Sequence, residues 1–329
     1  MPDGMTWAGL PPGGGMFTYD QSTRDAAGAF LIGELERLDP ALHGPLFAYT
    51  WSRDIDLRQD ITVGDEVSSF LNSSFAAVGG VVPAGINWIG KDVNAISGVS
   101  LDIGKTPQPL YIWGMELAYT TLELLSAQRI GRPIDDQKLQ AIRTKYQMDV
   151  DQLVYTGDTT VGSRGLLNHP LVTNLSNVTA TWTAANAATN AVADINALLA
   201  SVWQASGYAI CPDQLRLPPT AFQLLVQAPM STASNISVMR YLQENTICNT
   251  QNGRALNIQP VKWLPGIGVG ATNRMIAYTK DYERVRMPLT PLSRTAPEFR
   301  SLYTMTTYYG RIGMIEIPYP ETIGYRDGM

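Results

Sequence analysis

Gly104-Lys105-Thr106 is the tripeptide of this chain that most invites a chemical reading, because that order closes a phosphate-binding loop. The loop also needs a glycine five residues before Gly104 and a helix after the threonine, and Val99 and Pro107 stand there instead. No phosphate cradle is expected. Gly13-Gly14-Gly15 follows no strand and lacks the spaced glycines of a dinucleotide fold. The two histidines, His43 and His169, each adjoin a turn residue, Gly44 or Pro170, and no second His, Cys or carboxylate recurs at ligand spacing, so no metal site is expected. A Ser-His-Asp triad is a spatial arrangement, but the nucleophile elbow that would advertise one is absent. Two carboxylate pairs remain. Asp54 and Asp56 share the face of a strand-like stretch, while Asp149 and Asp151 lie two apart on a helix and point apart. Both pairs read as a solvated face or an inter-subunit salt bridge. Asn174-Leu175-Ser176 and Asn177-Val178-Thr179 match glycosylation sequons, which carry no meaning without secretion. No catalytic residue and no cofactor is expected.

Composition points the same way. The chain has 329 residues, enough for two substructures. Charged residues make up 16%, against roughly 25% in an ordinary soluble chain, as if neighbouring subunits covered much of the surface. A net charge of -5 supplies no basic footprint for tight nucleic-acid binding, although a container need not grip what it holds. Cys211 and Cys248 are too few for a disulfide framework and read as reduced, buried thiols in a cytoplasmic setting. Residues 1–16 lack the basic start and apolar block of a signal peptide, and no apolar run approaches the ~18 residues of a membrane span.

Stepping along the chain, Met1 to Tyr19 is rich in Pro and Gly and reads as an arm that a neighbouring chain would hold in place. A helix follows from Ser22 to Leu38, with Phe30, Leu31 and Leu35 on its apolar face, and Asp39-Pro40 stops it. From Phe47 to Val63 the pattern alternates with period two, which unbroken would extend roughly 55 Å. Val99, Leu101 and Ile103 alternate again after a stretch of small residues, so 47–105 reads as a long projecting hairpin. Such a ribbon is marginal alone and needs another subunit to lie on. Tyr111 to Ile130 carries Trp113, Leu117 and Leu124 at helical spacing. Gly131-Arg132-Pro133 breaks that helix and a second one follows, striped by Leu139, Ile142, Tyr146, Val150 and Leu153. It ends at Tyr155-Thr156-Gly157-Asp158, before the glycine-punctuated loop from Gly162 to Pro170.

That order, a long helix, a second helix and a "GD...GL-N-P" loop, resembles the major capsid proteins of tailed bacteriophages and the related encapsulin shells. The resemblance implies an α+β fold. Its parts are an N-terminal arm and short helix (1–46), an extended β-hairpin loop (47–105) and a peripheral domain with a long spine helix (106–204). An axial domain (205–290) and a C-terminal return strand of the peripheral domain (291–329) complete it. Residues 173–190, rich in Thr, Asn and Ala, read as a solvent-facing loop. Helices are expected at 192–204, 219–227 and 238–245, and strands at 210–218, 256–264 and 275–285. The Tyr- and Thr-rich tail is placed to pair with the spine-side sheet, and Gly310 and Gly313 suggest a bulge or a close backbone approach.

The resemblance further implies a virion shell assembled in the host bacterial cytoplasm as hexamers and pentamers. That shell would enclose double-stranded DNA without sequence-specific binding, with scaffolding, portal and decoration proteins as partners and no membrane. The break at Gly131-Arg132-Pro133 would let the spine adapt to inequivalent positions. Aromatic and arginine side chains tend to dominate interfaces, and Trp51, Arg53, Asp54, Trp88 and Lys91 in the extension are the expected contacts across subunits. A lysine in this loop is joined to a neighbour's asparagine in some capsids of the fold, but nothing identifies a partner for Lys91, so an ion pair is its ordinary reading. Two alternatives stand beside the capsid: an encapsulin compartment holding a cargo enzyme, and a two-lobed cytoplasmic enzyme with its site between the lobes.

Overall fold

The computed structural model describes residues 47–76, 99–130, 134–231 and 235–329. The N-terminal arm, the helix expected from Ser22, the break at Gly131-Arg132-Pro133, Trp88 and Lys91 lie outside them. A helical turn, α1 (Trp51–Asp54), leads into β1 (Asp56–Arg58), and two long strands follow, β2 (Val67–Ala76) and β3 (Ser100–Thr120). Helices α2 (Thr121–Ile130) and α3 (Ile134–Tyr155) come next, then β4 (Thr173–Leu175), a π-helical turn at Ala187–Ala191 and α4 (Val192–Ala205).

A second run contains β5 (Gln214–Leu217), α5 (Pro219–Gln227), α6 (Val238–Asn245), α7 (Ile247–Asn252), β6 (Asn257–Pro260) and β7 (Arg274–Tyr278). The chain closes through β8 (Arg286–Pro288), β9 (Ser293–Arg294), β10 (Glu298–Arg300), β11 (Tyr303–Gly313) and β12 (Ile323–Asp327). Among the described residues one sheet runs β10-β11-β3-β2, with β9 against β11, and another runs β4-β12-β7-β5-β6. The parallel pair β1-β8 stands apart from both.

Strand β7 is buried along its whole length and divides the interior. Met275 and Ala277 face a cluster built from α4 to α7, with Leu198, Leu215, Leu225 and Leu242 at its centre. Ile276 and Tyr278 face the other way, into a cluster of α3, the loop after it and the strands near the C-terminus. The helices expected at 192–204, 219–227 and 238–245 are α4, α5 and α6, each an amphipathic stretch whose apolar side meets the first cluster. Pro219 opens α5 at a position where its missing N–H costs nothing.

Several expectations are corrected. The alternating stretch from Phe47 is not a strand out to Val63: Trp51–Asp54 forms a helical turn, and only Asp56–Arg58 pairs, with β8. The ribbon is built one segment later, where β2 pairs antiparallel with β3 from Val67↔Pro109 to Ala76↔Ser100. Tyr111 to Thr120 is strand, not helix, and the helix begins only at Thr121. Its partner decides the matter, since β11 runs in register against it from Tyr303↔Thr120 to Gly313↔Leu110 and is rich in the Tyr and Thr that suit a pleated sheet. The spine is therefore α3, whose Ile142, Tyr146, Val150 and Val154 are buried. Residues 173–190 are mostly irregular and exposed, as expected, but Trp182 anchors them: it is buried and its Nε1 donates to Asp194 Oδ2 at 2.9 Å.

The tail divides between the two sheets. Strand β11 joins β3 as the resemblance implied, whereas β12 crosses to pair with β7 and β4. Gly313 is a close approach, since a Cβ there would sit 2.4 Å from Pro288 Cγ; at Gly310 the nearest atom would be an ordinary 3.5 Å away. Cys211 and Cys248, expected as thiols, are joined in a disulfide.

Candidate assembly surface

The ribbon of β2 and β3 leaves the body in a definite manner. In an antiparallel pair, residues directly opposite share a face, and the face alternates along each strand. Ser68, Phe70, Gln108 and Leu110 are buried at the root. Beyond Phe70 the body falls away, and described side chains of both strands are exposed. The pairs Leu71↔Lys105 and Ser73↔Ile103 share one face, on which Leu101 also lies, while Asn72↔Gly104 and Asp102 share the other. One face is thus polar and the other apolar, with Leu71 68%, Leu101 64% and Ile103 60% exposed. Contiguous apolar area rimmed by polar groups marks an interaction surface. Pro107 and Pro109 carry no N–H, which suits β3 to an edge position here.

A buried carboxylate fixes the root. Glu316 accepts from Ser68 Oγ of β2, from Arg58 Nη1 at 3.0 Å and from Arg286 Nε at 2.7 Å. Arg58 also holds Ser69 O at 3.1 Å and Asp60. The hydrogen bond to Asp60, aided by the charge of Glu316, holds this guanidinium above its ordinary pKa, and Arg58 in turn lowers the Asp60 carboxyl. Arg311 Nε donates to Val63 O at 2.7 Å, and Leu110 N donates to Glu66 O at 2.9 Å, so the chain entering the ribbon is held at several points. Glu316 left no signal in the sequence, because its partners are spread from Arg58 to Arg286.

A second buried carboxylate, Asp54, binds partners in the body. Arg53 Nε and Nη2 bind it at 2.6 and 2.9 Å, Tyr155 Oη donates to it, and Arg216 Nε lies 2.9 Å away as a fully buried ion pair. Burial and the adjoining Asp54 charge push the Tyr155 phenol far above its ordinary range, so it stays a donor. The hydrogen bond to Asp54 likewise raises Arg53. Trp51 is buried too, with its Nε1 on Gln147 Oε1 at 2.8 Å. The structure therefore brings Trp51, Arg53 and Asp54 together, but Trp51 and Asp54 face the interior of their own chain, and only Arg53 keeps a third of its side chain in solvent.

The carboxylate pairs separate in the same way. Asp151 is buried and accepts from the Thr50 and Trp51 amides at 2.7 and 3.1 Å and from Trp263 Nε1 at 2.8 Å, with Lys262 Nζ at 3.0 Å. Asp149 faces outward, bound by Trp113 Nε1 at 2.9 Å and by Lys145. It lines an open cleft of about 360 Å³ between β3 and α3, with Tyr111, Gln152, Asp158 and Val161. No group of three or more potential metal ligands occurs among the described residues. No helix among them is long and apolar enough to cross a membrane.

The loop after the spine helix explains the glycine pattern. Leu166 N and Leu167 N return to Val154 O and Tyr155 O at 2.7 and 3.0 Å, so the loop folds back on the last helical turn. Gly157 has φ +70°, and a Cβ on Gly165 would lie 2.3 Å from Tyr155 O, which no side chain can occupy. Asn168 completes the loop by accepting from Gly165 N at 2.8 Å and donating to Thr156 O at 2.7 Å.

No curated protein sequence matches the chain. Its fold is similar to the capsid of Myoviridae phage XM1, at TM-score 0.73 and 19% identity over 90% of this chain and 98% of that one. It is also similar to the capsid of a native GTA particle, at 0.63 and 12% over 94% and 99%, and to that of Mycobacterium phage Bobi, at 0.58 and 11% over 91% and 98%. The family model described as major capsid protein matches residues 85–329, taking in β3, the spine helix, both cores and the return strands. A chain with that match, that fold and a ribbon reaching out from a buried ionic root belongs to the major capsid protein family.

Proposed function

We propose that this chain is the shell subunit of a tailed double-stranded DNA phage head, assembling as hexamers and pentamers around the genome. The carrying observation is the ribbon of β2 and β3, whose apolar face meets nothing else among the described residues. A neighbouring subunit supplies that cover. In this reading Glu316 and Arg58 set the angle at which the ribbon leaves the body, and Trp51, Arg53 and Asp54 hold the segment that leads to it. Trp88 and Lys91, which fall in sequence between the two ribbon strands, keep their assignment to contacts across subunits. Residues 1–46 add a further arm, and the peripheral and axial domains divide near residue 205. Scaffolding, portal and decoration proteins are the partners. The function is geometric: the chain carries out no reaction, and Asp149, one of two acids lining the open cleft, is engaged by Trp113 and Lys145.

Negative-stain microscopy with size-exclusion chromatography tests this. The chain, expressed alone and with its scaffold, gives closed shells or rings of five and six; Leu71→Asp with Ile103→Asp gives a folded subunit that no longer assembles. A compact wild-type monomer would sink the proposal. Protein cargo in place of DNA in the shells would favour the compartment reading.

A further inference from the structure

Cys211 and Cys248 are the only cysteines of the chain, and the structure bonds them across 37 residues with their Cα atoms 5.3 Å apart. That span lies inside the range a disulfide accepts without moving the backbone. Cys211 immediately precedes the strand region of β5, and Cys248 sits in the first turn of α7. The two are 4% and 1% exposed, in the cluster that contains Leu215, Leu242, Leu256 and Ile258.

The segments that carry them are held without sulfur. Asn252 Nδ2 donates to Cys211 O at 3.1 Å, and Asn249 Nδ2 donates to Gln243 O at 3.2 Å. Asn257 N donates to Asp213 O at 3.0 Å, and Gly253, in the left-handed conformation, caps α7 by donating to Asn249 O at 2.8 Å. Packing and hydrogen bonds thus bring two thiols into bonding range whether or not they are oxidised.

A capsid protein is made inside a cell, where thioredoxin and glutathione keep thiols reduced, and then leaves it with the particle. We propose that Cys211 and Cys248 stay as thiols during assembly and close into a disulfide after the particle meets dioxygen outside the cell, locking the helical lobe of a finished shell. Each thiol gives up its proton, one S–S bond forms, and the two electrons and two protons pass to dioxygen, leaving hydrogen peroxide. The reducing compartment keeps the dithiol in the cell, and burial shields the finished bond from attack by small thiols outside it. The closed loop holds β5, α5 and α6, so the constraint falls on the unfolded form of that lobe.

The inference rests on the shell reading only for the change of compartment. Cells making the chain are quenched in acid before lysis, alkylated with N-ethylmaleimide in denaturant, and the subunit is weighed by mass spectrometry; particles purified in air are treated alike. Two adducts in the quenched cells and none in the particles are expected. No adducts in the cells, or two in particles kept in air, would overturn the proposal. Particles carrying Cys211→Ser with Cys248→Ser should assemble in ordinary yield and melt roughly 10 °C below air-purified wild type. Equal melting would remove the locking role. Should that variant not fold, the alkylation comparison, which needs only the natural chain, still decides. Microscopy of the same preparation separates the failures, because missing particles sink the shell reading, whereas particles with free thiols sink this one alone.

Discussion

Asp54 is enclosed by Arg53, Arg216, Tyr155 and, through its backbone carbonyl, Tyr278, whose Oη donates to it at 2.8 Å. Removing water from so many charged groups is costly, and the arrangement is stable only while each charge keeps its partner. Asp54→Asn keeps the shape and deletes the charge, leaving Arg216 buried against a neutral amide. We expect a loss of about 3–5 kcal/mol, read as a lowered urea midpoint at unchanged slope, whereas Asp149→Asn, whose carboxylate faces outward, should cost under ~1 kcal/mol. None of this hub was legible in the sequence. Asp54 and Arg216 stand 162 positions apart, and the alternation around Asp54 made it look like one face of an exposed strand. The disulfide escaped for a different reason. Two cysteines without a spacing signature carry no pairing information, and the expected compartment argued for thiols.

At the scale of elements, the stretches read correctly are those in which local pattern and packing agree. The spine helix α3 and helices α4 to α6 keep their apolar residues at helical spacing and bury them on one side, so their signal needed no partner. Tyr111 to Thr120 shows the opposite case. Trp113 and Leu117 satisfy a helical spacing, yet β11, nearly two hundred residues later, offers eleven consecutive partners from Leu110 to Thr120. Tertiary pairing outweighs a weak local preference. The loop after α3 was legible as a glycine pattern, though its reason emerged only from the 2.3 Å gap at Gly165. Gly165→Ala must push the backbone off the last helical turn. A loss of about 3 kcal/mol is expected, measured by thermal melting, with Gly162→Ala for comparison: it carries left-handed strain at φ +71°, which Gly165 does not, but meets nothing within 4 Å, and so should cost about 1 kcal/mol.

For the whole molecule, body and ribbon separate physically. The two apolar clusters on either side of β7 are covered within the described chain, while the apolar face of the ribbon is exposed. Replacing residues 72–104 by Asn-Gly joins Leu71 to Lys105, a directly opposed pair that a two-residue hairpin turn can span. The expected product is a folded protein with its circular dichroism and melting temperature nearly intact, and with a sedimentation profile of monomers in place of shells. Rings or shells from this variant would show that contacts elsewhere suffice. The capsid reading itself was legible because the order of parts survives where the exact boundaries do not.

Strand β3 runs for 21 residues without interruption, paired with β2 over its first half and with β11 over its second. At ~3.3 Å per residue that is a beam of roughly 70 Å, clamped at one end and free at the other. A cantilever of this kind has no hinge. A push delivered at the tip would therefore arrive as torque in the sheet of the body, at the strand whose Trp113 packs on Tyr146 of α3. Subunits joined this way would share an internal pressure by flexing together, and the stiffness of the particle would be set by sheet twist instead of loop slack.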